Sequence, residues 1–465
     1  MPKECVKIEI SIMKVLLLLP DAKMHKLSIA GHIRSMREAP LTLASLAAMA
    51  PEKLNMDFTV VDGSIDAIPV EDDFDLVGIS VMTGTANAAY AIADRFRSRG
   101  IAVVLGGVHV TVMPDEACLH ADSIVIGMAE RVWPELLSDF VSGRLRKRYR
   151  DDRSQSGDWI KGLPAPRMDL IRTSGYMVAG SVQATRGCSK CCDFCSVPTV
   201  WKRFQKRPVA DVVRDVKRLK GKLIAFGDVN LIDDVEYAKE LFSALIPLKK
   251  IWGGLATTEV ADDDELFELM VKSGCRYLLI GFESVNQSAL NSIAKGFNRD
   301  SRYKELVRRL HKSHISVQGC FVFGFDDDRV DIFDDTVDRV TELKIDIPRY
   351  SIYTPYPGTR LFDRLVAEDR IVSFNWDDYD TMHVVYRPKM MTCTELYDGF
   401  KRAYGKTFKL KNIARRVGSL NISCPINFAG NLAYRIFTKR LKTDPRFAMP
   451  HSCDPVSGNI SKEGA

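Results

Sequence analysis

The sequence predicts an α/β protein in three parts: a doubly wound, Rossmann-like domain over residues 13–142, a partial (β/α)6 barrel of the TIM type over 176–385, and a basic, helical C-terminal region over 386–465. Two patterns and a charge count predict it. From Met13 to about Leu137, and again from Ser181 to His383, short apolar runs alternate with amphipathic ones, as strands of a parallel sheet alternate with the helices that cover it. Between the two series a basic, Pro- and Ser-containing stretch, "GRLRKRYRDDRSQSGDW" to "LPAPRMDL", reads as a linker over 143–175. Residues 387–465 hold 15 Lys and Arg against 5 Asp and Glu in a chain of net charge +6, so the remainder is net acidic. A chain of 465 residues is also too long for one core.

The first series opens on "MKVLLLLP" (Met13–Pro20), a buried strand whose apolar run is too short for a secretory signal and lacks a small-residue cleavage site. Then come a helix ("LTLASLAAMA"), strands ("FTVVDGSI", "DLVGISVM"), a helix ("ANAAYAIADRFRSRG"), strands ("AVVLGGVHV", "SIVIGM") and a helix ("AERVWPELLSDFV"). Ligands of such a sheet bind outside the carboxyl ends of its strands, where "SVMTGTAN" and "GGVHVTVMPDE" fall. Gly106 and Gly107 permit close backbone approach there, and Ser80, Thr83 and Thr111 offer hydroxyls. A Gly-Gly pair alone is as often only a tight turn.

The second series has six strands, "SVQAT", "KLIAFG", "IWGGLA", "RYLLIG", "ISVQGCFVFG" and "IPRYSIYT". The helices between them are "PVADVVRDVKRLK", "VEYAKELFSALI", "DDDELFELMVKSG", "RYKELVRRLHKS" and "IFDDTVDRVTELK". Six β/α units in series predict a barrel with its site at the strands' C-terminal ends. The tail has weaker periodicity. Its cations would meet an anionic membrane surface, a nucleic acid or a partner protein, or would simply be solvated.

Composition is that of an ordinary globular protein, 46% apolar and 27% charged, with no apolar run of the roughly 20 residues a membrane span needs. Eleven cysteines, mostly single, do not form a secreted disulfide framework, and a reducing cytoplasm is expected.

"TRGCSKCCDFCSVP" (Thr185–Pro198) packs four of those cysteines into eight positions. Cys188, Cys192 and Cys195 form C-x-x-x-C-x-x-C on a loop after a strand. Three thiolates can bind three irons of a cubane and leave the fourth open to chelate a small molecule. Zinc competes, but a structural zinc site wants a second Cys pair, and Cys275, Cys320, Cys393 and Cys424 stand alone. A closed cluster would draw on Cys191, and on spacing alone the register Cys188, Cys191, Cys195 also exists.

This loop resembles the signature of the radical S-adenosylmethionine superfamily. The resemblance implies that Cys188, Cys192 and Cys195 hold a [4Fe-4S] cluster, that S-adenosylmethionine chelates the open iron, and that its reductive cleavage yields a 5′-deoxyadenosyl radical. Further segments match in order. Phe194 corresponds to a ring near the adenine. "AFGDVNLIDD" ends the second strand with Asp228 and Asn230 facing the methionyl amine. "LIGFES" places Glu283 on the ribose hydroxyls, a sound partner for a diol. "FVFGFDDD" offers Gly324 to the adenine, although Asp-Asp stands where the family usually has Pro-Gly. "YTPYPGT" closely matches the sixth strand's end.

"GGVHVTVMPDE" and "GMAERVWPEL" resemble the cobalamin-binding domain found ahead of many of these enzymes. The carried-over contacts are Ser80, Thr83, Gly106, Gly107, His109, Thr111 and Glu130, although a lone buried histidine is more often structural than a ligand. The D-x-H-x-x-G element is absent, so no protein histidine is expected on cobalt. A transfer-RNA methylthiotransferase would need three more cysteines in the first domain, which holds only Cys118, with Cys5 just ahead of it.

The resemblance thus implies a cobalamin-dependent radical methyltransferase acting on an unactivated carbon. Its cofactors would be the [4Fe-4S] cluster, S-adenosylmethionine and cobalamin. Its partners would be a small-molecule or lipid-like substrate, an electron donor such as flavodoxin or ferredoxin, and a membrane surface met by the basic tail; nucleic acid is not expected. One alternative keeps both cofactors but closes, contracts or oxidises a ring on a tetrapyrrole, lipid or natural-product skeleton. Another is a non-catalytic carrier.

Overall fold

The computed structural model describes residues 12–22, 26–29, 32–151, 160–417 and 424–449. By internal contacts the chain divides into one unit running to Gly187 and including Val200–Gly227, and a second made of Cys188–Thr199 and Asp228 onward.

The first unit contains β1 (Met13–Leu19), β2 (Lys26–Ile29), β3 (His32–Glu38), β4 (Met56–Asp62), β5 (Leu76–Ser80), β6 (Ala102–Gly106), β7 (Ser123–Ile126), β8 (Arg148–Arg150), β9 (Tyr176–Val178), β10 (Gly180–Val182), β11 (Thr185–Arg186), β12 (Gln205–Lys206) and β13 (Leu223–Phe226). Six of them form one parallel sheet in the order β4-β1-β5-β6-β7-β8. Val15 to Leu18 are buried without exception, as a central strand covered on both faces requires. One face packs Leu43 and Ala47 with Trp133, Leu136 and Leu137. The chain turns back at β1, whose neighbours β4 and β5 lie on opposite sides, the switch point outside which such folds bind ligands.

Three local features depart from the sequence expectation. β6 stops at Gly106, and Val108–Val112 is helical instead of continuing the strand. Gly107 causes this: its φ is 105°, and a Cβ there would lie 2.7 Å and 2.8 Å from the backbone oxygen and nitrogen of Val81. A second sheet, β2-β3-β9, was not foreseen, because "KLSI" and "HIRSMRE" carry too little apolar alternation. Finally, part of the stretch read as a linker belongs to this unit, Arg148–Arg150 forming β8 at the sheet's edge and later residues packing on it. Arg167 N donates to Ala44 O (3.0 Å) and Arg172 Nη2 to Ile65 O (2.6 Å).

β10 and β13 pair in parallel within the first unit. The second unit carries β14 (Ile251–Ala256), β15 (Cys275–Glu283), β16 (Ser316–Phe323) and β17 (Ile347–Ile352), paired in parallel in that order. Side-chain caps start several of its helices, with Asp234 accepting from Tyr237 N and Asp263 from Leu266 N. Its C-terminal helices, Cys393–Thr407, Leu410–Val417 and Cys424–Thr443, are integral to its core. Tyr404 OH accepts from Tyr350 N (3.1 Å) and donates to Tyr350 O (2.9 Å), while Asn427 and Asn431 donate to Asp346. Arg416 is fully buried, donating to Thr407 O and Asn431 Oδ1. Burying a guanidinium and amides instead of a clean apolar stripe is why this region's periodicity is weak. Among the described residues no helix is long and apolar enough to cross a membrane.

Candidate functional site

Cys188, Cys192 and Cys195 are half-buried, Cys191 is exposed, and none of them is in a disulfide. The loop is held by groups from several elements of the second unit. Asp233 accepts from Ser189 N (2.9 Å), Ser189 Oγ (3.1 Å), Asn230 Nδ2 (2.7 Å) and the Cys188 thiol (3.5 Å). Asp193 accepts from Tyr353 OH (2.7 Å) and Leu361 N (3.1 Å), and Arg360 donates to Cys191 O. The Phe194 ring meets Tyr353 edge-on at 5.8 Å, and Tyr353 meets Phe325, beside Gly324, at 4.7 Å. Burial pushes the Cys188 and Cys192 thiols up to about 11 and raises Cys195 as well. Metal binding must therefore displace protons from these thiols.

The strand-end residues gather around the same loop. Asp228 and Asn230 are buried, and Asn230 Nδ2 also reaches the Cys188 sulfur at 3.9 Å. Asn230 Oδ1 is buried with no hydrogen-bond partner among the described residues. Glu283 closes β15 with φ 65° and forms a buried ion pair with Lys295, a residue the sequence reading did not single out. Burial opposes the Lys295 charge, but Glu283, with Cys192 and Cys195 beyond it, outweighs that penalty and raises its pKa. Gly281 makes room for the pair, since a Cβ there would collide with Glu283 Oε1 and come 2.9 Å from Lys295 Nζ. Gly324, φ 100°, gives its N–H to Asp328 Oδ2 (3.0 Å), and its carbonyl accepts from Tyr386 OH.

In the first unit, the predicted contacts lie at or just beyond the carboxyl ends of β5, β6 and β7. Their roles differ. His109 is wholly buried, 3.3 Å from Thr83 Oγ1 and 3.4 Å from Glu116 Oε1. Thr111 Oγ1 donates to Gly107 O (2.8 Å) and accepts from Gly127 N (2.9 Å), tying two loops together. Gly106 has space around it, with Val125 Cβ 3.6 Å from where its own Cβ would be. Glu130 pairs with Arg186, and its other oxygen, Oε2, is buried without a partner among the described residues. Glu130 and Arg186 both line a cavity of about 580 Å³, with Leu41, Met49, Pro164 and Gln183 among its other walls.

The family model of the Radical SAM superfamily matches residues 182–368, and that of the B12 binding domain matches residues 34–137. The chain is 33% identical over 416 residues to the bacteriochlorophyllide d C-12(1)-methyltransferase of Chlorobaculum tepidum, covering 86% of this chain and 89% of that one. The chain is a cobalamin-dependent radical S-adenosylmethionine methyltransferase. Within the same family it is 28% identical over 450 residues to the bacteriochlorophyllide d C-8(2)-methyltransferase of that organism, covering 90% and 97% of the two chains. Its fold resembles the radical S-adenosylmethionine methyltransferase TsrM of Kitasatospora setae, solved with cobalamin and a [4Fe-4S] cluster, with a TM-score of 0.62 at 17% identity over 77% and 75% of the chains. The enzyme thus has a B12-binding domain followed by a TIM-like radical domain, and its cofactors are the cluster, S-adenosylmethionine and cobalamin.

The residues present fit these groups. Three half-buried free thiols on one loop, with the fourth exposed, suit a cluster with one open iron. Among the described residues no three His, Cys, Asp or Glu side chains converge on a single-ion position, and thiolates on separate corners of a cubane stand farther apart than that. The orphaned Asn230 Oδ1, buried beside the Cys188 sulfur, can accept from an amine. When bound, the cofactors supply a carbon-centred radical and a transferable methyl group; the protein supplies the orientation.

Proposed function

We propose that this enzyme methylates a peripheral carbon of a tetrapyrrole. The observation that carries the reading is near-full-length similarity to two relatives that both act on bacteriochlorophyllide d. In this reading Cys188, Cys192 and Cys195 ligate the cluster, with Asp228, Asn230, Glu283, Phe194 and the Gly324 turn around S-adenosylmethionine. Residues 13–142 serve the corrinoid, 176–385 the radical chemistry, 143–175 connect them, and 386–465 form the basic end. Asp233 and Asp193 hold the loop, and the Glu283–Lys295 pair keeps a carboxylate oriented in a largely buried place.

Anaerobic incubation of the reconstituted enzyme with bacteriochlorophyllide d, S-adenosylmethionine and a reductant tests it. Methylation yields a product heavier by one CH2, together with both S-adenosylhomocysteine and 5′-deoxyadenosine. Deoxyadenosine without S-adenosylhomocysteine would replace methylation by ring closure or another radical outcome.

The reading extends to a cytoplasmic enzyme that takes electrons from a flavodoxin or ferredoxin and touches anionic membrane through its basic end. Lys409, Leu410, Lys411, Arg415, Ile436 and Lys439 are exposed there, cations beside apolar side chains. Sedimentation with phosphatidylserine vesicles, weakened by Lys411→Glu with Arg415→Glu, tests that contact.

A further inference from the structure

The sheet of the second unit has two unlike faces. On one, Phe282, Phe323 and Tyr350 are buried against Tyr303 (4.7 Å), Phe333 (4.8 Å) and Tyr404 (5.1 Å) of the covering helices. Strand residues alternate between faces, so Gly281 of β15, Cys320 of β16 and Arg349 of β17, which stand opposite one another in neighbouring strands, share the other. All three keep some exposure, as do Leu255, Leu279 and Val322 on the same face. This inward face is apolar except for one guanidinium.

Arg349 makes no side-chain hydrogen bond or ion pair among the described residues. Burial is the largest influence on its charge and opposes it, and Cys320, Tyr434, Tyr404 and Tyr356 together outweigh burial and raise its pKa. Those neighbours are a thiol and three phenols. Burial pushes Cys320 up to about 11 and raises the three phenols too, so near neutral pH none of them is an anion. A cation held on an apolar inner face without a counter-charge is costly unless a ligand supplies one, and a planar guanidinium suits a carboxylate, which it meets with two parallel N–H bonds.

We propose that Arg349 anchors the substrate: its guanidinium receives a carboxylate of the molecule to be methylated, whose apolar body lies along Leu255, Leu279 and Val322. The inference rests on the tetrapyrrole reading, since a chlorophyllide is a free acid with one propionate on an apolar macrocycle. S-adenosylmethionine carries a carboxylate too, but the cation beside the cysteine loop is Lys295. Cys192 and Cys195 act on the Lys295 charge, whereas Arg349 answers to Cys320 and the three tyrosines.

The test titrates the full-length enzyme, reconstituted with iron, sulfide and hydroxocobalamin, without oxygen. Bacteriochlorophyllide d and its propionate methyl ester are followed by quenching of chlorin fluorescence, and S-adenosylmethionine by equilibrium dialysis. The native enzyme binds the free acid about tenfold or more tightly than the ester, the usual difference for one hydrogen-bonded charge pair. Arg349→Gln loses that preference: the acid falls to the ester's affinity, while the ester and S-adenosylmethionine bind as in the native enzyme. Arg349→Lys, which keeps the charge without the planar fork, retains part of the preference. A merely structural arginine would weaken acid and ester alike, and that result overturns the anchor. So does equal binding of acid and ester by the native enzyme, or a preference that survives Arg349→Gln. Weaker S-adenosylmethionine binding with the acid preference intact assigns the guanidinium to that cofactor instead. Should Arg349→Gln fail to fold, a full native preference in Arg349→Lys overturns the anchor and a partial one supports it. If the native enzyme binds neither acid nor ester, the tetrapyrrole reading falls and the anchor with it.

Discussion

Cys191 is exposed while Cys188, Cys192 and Cys195 are half-buried, and we propose these three as the cluster's ligands. Cys191→Ala should keep iron content and 5′-deoxyadenosine formation, whereas Cys192→Ala should abolish both; the opposite result would exchange their roles. Lys295 makes the second prediction at this scale. Removing its ammonium leaves the Glu283 carboxylate, only 10% exposed, without its cation, a loss that typically costs about 3–5 kcal/mol. Lys295→Met should therefore lower stability in urea, and adding Glu283→Gln should restore most of it. An additive double variant would mean the pair is not coupled. The cysteine loop was legible because cluster chemistry demands one residue type at close spacing. Asp233 and Lys295 were not, since an Asp in "LIDD" or a Lys in "SIAKGF" acquires its role only when a loop folds beside it.

The turn after β16 shows how an element can depart from its family pattern and still close. Where Pro-Gly is usual, Asp328 accepts from the N–H groups of Gly324 (3.0 Å) and Phe325 (3.1 Å). Burial pushes its carboxyl up to about 7, against those two donors. Because the folded state then holds a proton that the unfolded chain releases near pH 4, this contribution to stability is full below about pH 4 and is lost as pH rises through about 7. Urea midpoints measured from pH 4 to 8 should fall more steeply with pH in the native enzyme than in Asp328→Asn. Parallel curves would remove Asp328 from the account. Another turn, at Gly187, precedes the cluster. Gly187→Ala meets Arg203 O and a left-handed φ at once, and should reduce reconstituted iron per chain without altering overall helix content by circular dichroism. The turn glycines could be suspected from sequence. Which of them answer to a backbone neighbour could not, because that neighbour is distant along the chain or faces it across a hairpin.

The whole enzyme should bind about four irons and one cobalt per chain when made anaerobically, as its [4Fe-4S] cluster and B12-binding domain require. Its C-terminal end cannot be removed as an appendage. Phe400, Tyr404 and Arg416 are buried, and Asn427 and Asn431 bond Asp346, so deleting residues 401–465 should yield insoluble or unfolded protein, seen as loss of a cooperative urea transition. A soluble, cooperative truncation would show these helices to be dispensable.

Taken alone, the sequence determined the order of the two α/β series, the strands of both parallel sheets except the edge strand β8, and the cysteine loop, because apolar periodicity and ligand chemistry are local along the chain. Only the tertiary structure decided that His109 is bonded inside the core, that Glu283 is paired with Lys295, and that Glu130 reaches Arg186 at the threshold of the cluster loop. Each of those is a meeting of side chains from separate segments, whose partner is chosen by packing and desolvation and leaves no trace in spacing.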